Sequence, residues 1–288
     1  MSSRVLQSRT ALAAFAAATV LPGLVACSSQ DDPDVAAPTS TASSAPALGP
    51  RPIVVLVHGA WADASSWNGV TERLLDDGYD VRAIANPVED LTTDAATVAD
   101  FLRTLDAPVV LVGHSYGGAV ITNAAAGIAD VKALVYVDAS APDVGETNGS
   151  LSGADSVLSV RTDQELFTKV PYQGAPAGAA DLYLNEDVFV ENFAGDLPED
   201  VSTRLWASQR AASTAAFSTP SRHAAWKTIP SWYFISTGDQ IITPASEKRM
   251  AERAKSDVTL FEGGSHLTLI SHPGAVTAVI KEAIASLG

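Results

Sequence analysis

The sequence predicts an α/β fold, with a mostly parallel sheet of about six strands, helices on its flanks and an inserted cap. Three observations predict it. Continuous apolar runs such as "IVVLVH" and "PVVLVGH" read as strands covered on both faces. Runs with apolar residues at helical spacing follow them in turn. One strand-like run, in "VVLVGHSYGGAVITNAAAG" (Val109 to Gly127), passes into a helical run through only a few residues, with Ser115 at the apex.

Taken in order, Ile53 to His58 is the first strand, and "ASSWNGVTERLLDDG" a helix that stops at Gly78. "YDVRAIA" is the second strand. "DAATVADFLRTLD" is a helix for which Asp94 is the expected N-cap. "PVVLVGH" leads into the helix "YGGAVITNAAAG", ended by Gly127, and "VKALVYVDA" is the fourth strand. "PSWYFIST" and "SDVTLFEG" are later strands, with the helix "PASEKRMAERAK" between them, and "PGAVTAVIKEAIASL" is a closing helix. Between about 141 and 226 the pattern turns loop-like, with two short helices expected in "NEDVFVENFAGDLPEDVSTRLWASQRAAS". This is the expected cap. Phe167, Tyr172, Leu182, Phe189, Phe193, Trp206 and Phe217 are its candidate pocket walls or core.

Composition narrows the partners. The 288 residues are 47% hydrophobic and 18% charged, with mean hydropathy +0.14, enough apolar material for one large core. A net charge of -15 repels phosphate backbones, which argues against nucleic acid. Cys27 is the single cysteine, so no internal disulfide forms, and no Cys/His cluster offers a zinc site. No metal or cofactor is expected.

The N-terminus reads as an export signal. Arg4 and Arg9 precede the apolar "TALAAFAAATVLPGLVA", too short for a comfortable membrane span. It ends in "LVAC", Leu24 to Cys27, which resembles the lipobox of bacterial lipoproteins. The resemblance implies a signal peptide over 1–26, lipidation of Cys27 and an exported, membrane-anchored envelope protein. Residues 27–50, rich in Ser, Pro, Ala and Thr, form an expected disordered tether, and the catalytic-type domain spans 51–288.

In parallel sheets the working residues gather at the carboxyl ends of the strands. Here those ends carry His58-Gly59-Ala60-Trp61, His114-Ser115 and Asp138, with Asp239 and His266 just beyond later strands. "GHSYG" has the spacing Gly-x-Ser-x-Gly, in which small residues flank a serine on a tight strand-to-helix turn. Gly113, Gly117 and Gly118 supply the room.

These motifs resemble the α/β-hydrolase superfamily over about Arg51 to Gly288. "LVHGAWADASSW", "VGHSYGGAVI", "TGDQIITP" and "EGGSHLTLISHP" are similar to its small branch of methylesterases and hydroxynitrile lyases. Two departures matter. The sheet starts at the third strand of the full fold, so one edge is missing. The lyases carry threonine at Gly59 and lysine at Leu267, which argues for hydrolysis rather than cyanohydrin cleavage.

The resemblance implies Ser115 as nucleophile, His266 as general base and a carboxylate that orients the imidazole. Asp239 is the first choice and Asp138 the rival, at the position some lipases use. The N–H groups of Ala60 and Tyr116 form the expected oxyanion hole, with Trp61 as fallback for the first. His58, His114, His223 and His272 take structural roles. The His266 pKa is expected near ~6.5 or higher, because a carboxylate favours the imidazolium. The expected function is hydrolysis of small to medium carboxylic esters through an acyl-enzyme. The rival readings are a ligand-binding envelope lipoprotein on a hydrolase scaffold and a cofactor-free perhydrolase.

Overall fold

The computed structural model describes residues 51–288, apart from 174, 176 and 177. The expected signal peptide, Cys27 and the expected tether lie outside the described residues. Strands β1 (Ile53–Val57), β2 (Asp80–Ile84), β3 (Val109–His114) and β4 (Val131–Val137) come first. The short β5 (Phe167–Val170), β6 (Asp181–Leu184) and β7 (Ala212–Ser213) follow, then β8 (Ser231–Ser236) and β9 (Asp257–Phe261).

Six strands form one sheet in the order β2-β1-β3-β4-β8-β9, and every pairing is parallel. The apolar runs explain this. Every residue of β3 and β8 is buried, as strands flanked by neighbours and covered on both faces must be. The order reverses at β1, whose neighbours β2 and β3 lie on opposite sides. Open parallel sheets form their ligand crevice at such a reversal.

The principal helices are α1 (Asn68–Asp76), α2 (Leu91–Leu102), α3 (Tyr116–Ala124), α4 (Glu199–Ala207), α5 (Pro244–Ala254) and α6 (Pro273–Ala285). Right-handed crossovers put α1 on one face and α2, α3 and α5 on the other. Accordingly α1 packs with α6, and α2 with α3. None of the helices among the described residues is long and apolar enough to cross a membrane.

Two expectations need correction. The N-cap of α2 is Asp90, not Asp94: its backbone is extended, and its carboxylate accepts the N–H groups of Thr92 and Thr93. Leu91 is buried, so the helix begins earlier than the charged residues suggest. Asp94 lies inside the first turn, also buried. The insertion is also more than loops and helices. Strands β5, β6 and β7 form a separate three-stranded antiparallel sheet there. Its strands have two to four residues, too short to leave a periodic pattern. Both expected short helices do form, one running through a π-helical turn at Phe189–Phe193 and the other as α4.

The turn from β3 into α3 needs its small residues for a measurable reason. A Cβ on Gly113 would meet the Gly117 carbonyl oxygen at 2.6 Å, and one on Gly117 would meet the Val57 carbonyl oxygen at 2.4 Å. Both obstacles are backbone, so neither can swing aside. Gly117→Ala is expected to cost about 1–3 kcal/mol by overpacking β1 against α3. Urea unfolding of the two proteins measures it, and equal stability would show that the strand and helix approach less closely.

Candidate active site

Ser115 sits between β3 and α3 with φ 54° and ψ -126°, a region that few non-glycine residues occupy. The backbone strain turns its side chain out of the strand and places it at the N-terminus of α3. Its Oγ lies 2.7 Å from Nε2 of His266. Nδ1 of His266 lies 2.6 Å from Oδ2 of Asp239. The other Asp239 oxygen accepts the N–H groups of Ile241 at 2.7 Å and Ile242 at 3.1 Å. The three residues first named from the sequence thus form one continuous chain of contacts. His266 and Asp239 are buried, and Ser115 is 5% exposed.

Asp138, the rival carboxylate, is engaged elsewhere. Its oxygens accept the N–H of Ser236 at 2.7 Å and the Ser236 hydroxyl at 3.0 Å. Ser236 Oγ in turn lies 2.6 Å from Thr268 Oγ1, which donates to the Ser265 carbonyl. Asp138 therefore braces the loop that carries His266 without reaching the imidazole.

Burial dominates the electrostatics. Desolvation pushes the His266 pKa down, against the pull of the Asp239 carboxylate 2.6 Å away. The sequence expectation of a pKa at or above the ordinary value weighed the carboxylate alone; burial of the whole ring acts in the opposite direction. Burial also raises Asp239, opposed by the two N–H groups from Ile241 and Ile242.

Ala60 lies in the loop after β1, and Tyr116 opens α3 directly after Ser115. Among the described residues neither N–H donates to a loop, turn or side-chain acceptor. Tyr116 is held from its far end, where its hydroxyl donates to Asp94 at 2.7 Å. Burial lifts the Asp94 carboxyl to about 6, against the hydrogen bonds from Tyr116 and Glu89. A Cβ on Gly59 would meet the Ser115 Cβ at 2.6 Å, so this loop needs glycine where the lyases carry threonine.

The remaining histidines build the site without entering it. His58 Nε2 accepts the Asn86 N–H at 2.9 Å and Nδ1 donates to the Gly59 carbonyl, shaping the loop before Ala60. His114 Nε2 donates to the His266 carbonyl at 2.8 Å. Burial holds His114 neutral too. His223 gives its backbone N–H to Asn123, and His272 precedes α6 without a side-chain cap.

The Trp61 ring walls the site. It stacks between Phe167 and Phe217, with ring centres 5.7 and 5.2 Å away, and meets Phe193 edge-on. Phe193 packs against His266 at 5.1 Å. Trp61 Nε1 donates to the Leu182 carbonyl of the cap. Trp61 borders two cavities, neither lined by Ser115 or His266: one of about 180 Å³ with Asn68, Phe189 and Leu267, and one of about 230 Å³ with Leu158, Leu182 and Thr214. Of the other cap candidates, Phe189 packs on Phe193, Trp206 donates to the Leu184 carbonyl, and Tyr172 is 37% exposed.

Sequence reasoning missed three contributors. Asn86 fixes His58, and Asp196 of the cap accepts the hydroxyls of Ser265 and Ser271 on either side of His266. Glu247 of α5 stands close to Asp138 and Asp239, the three offering oxygens within 4.8 Å of one another. These carboxylates form a group that could ligate a cation, although the sequence offers no Cys/His cluster. Asn86 and Asp196 lie far along the chain from their partners, and Glu247 is read from sequence only as one more residue of an exposed helix.

Residues 54–279 match the model of the alpha/beta hydrolase family. The chain is 28% identical to alpha/beta hydrolase nvfD of Aspergillus novofumigatus over 255 residues, covering 81% of this chain and 96% of that protein. It is also 28% identical to pheophorbidase of Raphanus sativus over 258 residues, covering 81% and 94%. The crystal structure of polyneuridine aldehyde esterase superposes with a TM-score of 0.68 at 17% identity, over 81% of this chain and 99% of that one. Extent of match, sheet order and strand-to-helix serine turn agree, and the chain belongs to the alpha/beta hydrolase family.

Proposed function

We propose that the chain is a serine carboxylesterase acting on small to medium esters through an acyl-enzyme. The observation that carries this reading is the unbroken contact chain from Ser115 Oγ through His266 to Asp239 among largely buried residues. Neutral His266 takes the proton from Ser115 as Oγ attacks the ester carbonyl carbon, and the C=O π pair moves onto oxygen. Ala60 and Tyr116 donate to that oxyanion, each contributing about 3 kcal/mol to the transition state. His266 then passes its proton to the leaving alkoxide as the ester C–O bond breaks. Water, deprotonated by His266, attacks the acyl-enzyme and releases the acid and Ser115.

The esterase among the structural relatives supports the same reaction class. A purely ligand-binding role would not need the serine in hydrogen-bond contact with a neutral base. Perhydrolysis would use the same groups with peroxide in place of water.

We also propose that Cys27 is lipidated and that 27–50 tethers the domain to a membrane. A flexible chain of that length reaches roughly 25–30 Å. Two or more acyl chains make a stable anchor.

A fluorophosphonate is expected to label Ser115 once per chain, and Ser115→Ala to abolish labelling and turnover. Asp239→Asn is expected to lower kcat on the order of 10⁴-fold, with Asp138→Asn costing far less. Labelling that survives Ser115→Ala, or the reverse order for the two aspartates, contradicts the assignment.

A lowered His266 pKa means that the base is already neutral well below the ordinary ~6.5. The rate constant kcat/KM is therefore expected to stay level between about pH 6.5 and 8 and to fall only in more acidic solution. A rise through that interval would show an imidazole with an ordinary or raised pKa.

The full chain is expected to partition into detergent with membranes, and Cys27→Ala to become soluble or stay unprocessed with unchanged specific activity. Unaltered partitioning of Cys27→Ala would locate the attachment elsewhere.

A further inference from the structure

The proposed mechanism uses one buried carboxyl group, yet three lie together. Asp138 follows β4, Asp239 follows β8, and Glu247 projects from the first turn of α5. Each offers an oxygen within 4.8 Å of the others, and Glu247 is 0% exposed. Their partners are unequal. Asp239 has the N–H groups of Ile241 and Ile242 and contact with His266. Asp138 has the N–H and hydroxyl of Ser236. Neither oxygen of Glu247 has a hydrogen-bond partner, and the Ala139 N–H lies near it outside hydrogen-bond geometry.

No neighbour can neutralise Glu247. The Tyr233 hydroxyl from β8 is committed to the Ala139 carbonyl, and the Tyr136 hydroxyl from β4 pairs with Thr122. Arg253, two turns along the same helix, is turned toward Glu146 and the Ala141 carbonyl. His266 is already in contact with Asp239. A buried carboxylate with neither donor nor counter-charge is prohibitively costly, and close carboxylates in a dry site do not all ionise.

We propose that Asp138 and Glu247 share one proton, resident on Glu247 at neutral pH, so that the carboxyl cluster behind His266 never carries three charges. Folding takes this proton up from solvent. Burial and mutual repulsion raise both carboxyls well above the ordinary range, in the same direction. A third negative charge beside Asp239 would favour the imidazolium of His266, which cannot accept the serine proton. The shared proton removes that charge without giving up the backbone brace that Asp138 supplies. The proposal concerns a bound proton, and its tests read the proton rather than turnover. Failure of the esterase reading therefore leaves it standing or falling separately.

The sign of its pH linkage is fixed. A carboxyl whose folded pKa is raised binds a proton that the unfolded chain has released above about pH 4.3. Its contribution to stability is greatest in acid and is lost as pH rises toward the folded pKa. Glu247→Gln keeps the shape and cannot ionise. Its Tm is expected to match the wild type near pH 4 and to exceed it increasingly from pH 5 to 8. A Tm below the wild type at neutral pH, with the gap widening as pH rises, would mean that Glu247 works as an anion and would overturn the proposal. Should the variant fail to fold, infrared spectra of the wild type decide alone. Uniform ¹³C labelling of glutamate is expected to shift the carbonyl band of a protonated carboxylic acid at pH 7, and no such shifted band would overturn the proposal. A rise in wild-type Tm on adding calcium or magnesium, without the protonated band, would make the cluster a cation site and overturn it as well.

Discussion

The backbone of Ser115, held at φ 54° between β3 and α3, is the constraint on which the site depends. A serine in ordinary extended backbone would continue the strand and point into a covered face. The strained turn instead ends the strand at full burial and starts a helix within one residue. It survives because the surrounding chain leaves no alternative. Gly117 crosses the Val57 carbonyl, Gly118 crosses the Ser140 carbonyl, and a Cβ at either position would penetrate backbone. The same close crossing packs β1 against α3, so the strain at Ser115 and the approach of strand and helix are one packing event.

The second determinant is exclusion of water. Trp61 packs with Phe167, Phe193 and Phe217, Phe193 packs against His266, and the His266 and Asp239 side chains have no solvent exposure. Low dielectric strengthens every oriented dipole around the serine and penalises every surplus charge. A neutral imidazole and a carboxyl cluster short of full ionisation are consequences of the same burial. The cap also holds the chemistry in place mechanically. Asp196 grips both sides of the His266 loop, and Ser156 donates to the Ile241 carbonyl beside Asp239. The insertion therefore braces the chain around both His266 and Asp239.

Legibility in the sequence followed the range of each interaction. The strands and the serine turn could be read because continuous apolar runs and Gly-x-Ser-x-Gly are local consequences of burial and steric clearance. Asp239 and His266 could be placed because parallel strands project their C-terminal ends to one edge. The N-cap of α2 was misplaced by four residues, since Asp90 and Asp94 are equally suited locally and only the burial of Leu91 separates them. The cap sheet was invisible because its strands are too short for alternation to register. For His266 the sequence showed the carboxylate partner but not the desolvation that opposes it, because complete burial is a property of the assembled fold. Asp94 under Tyr116, Asp196 around the histidine loop and Glu247 behind the acid are all long-range pairings that arise only when α2, the cap and α5 have packed.

The most direct test of this account is the crystal structure of the enzyme inactivated by a dialkyl fluorophosphate. The account predicts a phosphorus–oxygen bond to Ser115 Oγ, with the phosphoryl oxygen accepting hydrogen bonds from both Ala60 N–H and Tyr116 N–H and with His266 still between Ser115 and Asp239. Phosphorylation of another residue, or a phosphoryl oxygen turned away from both amides, would contradict it.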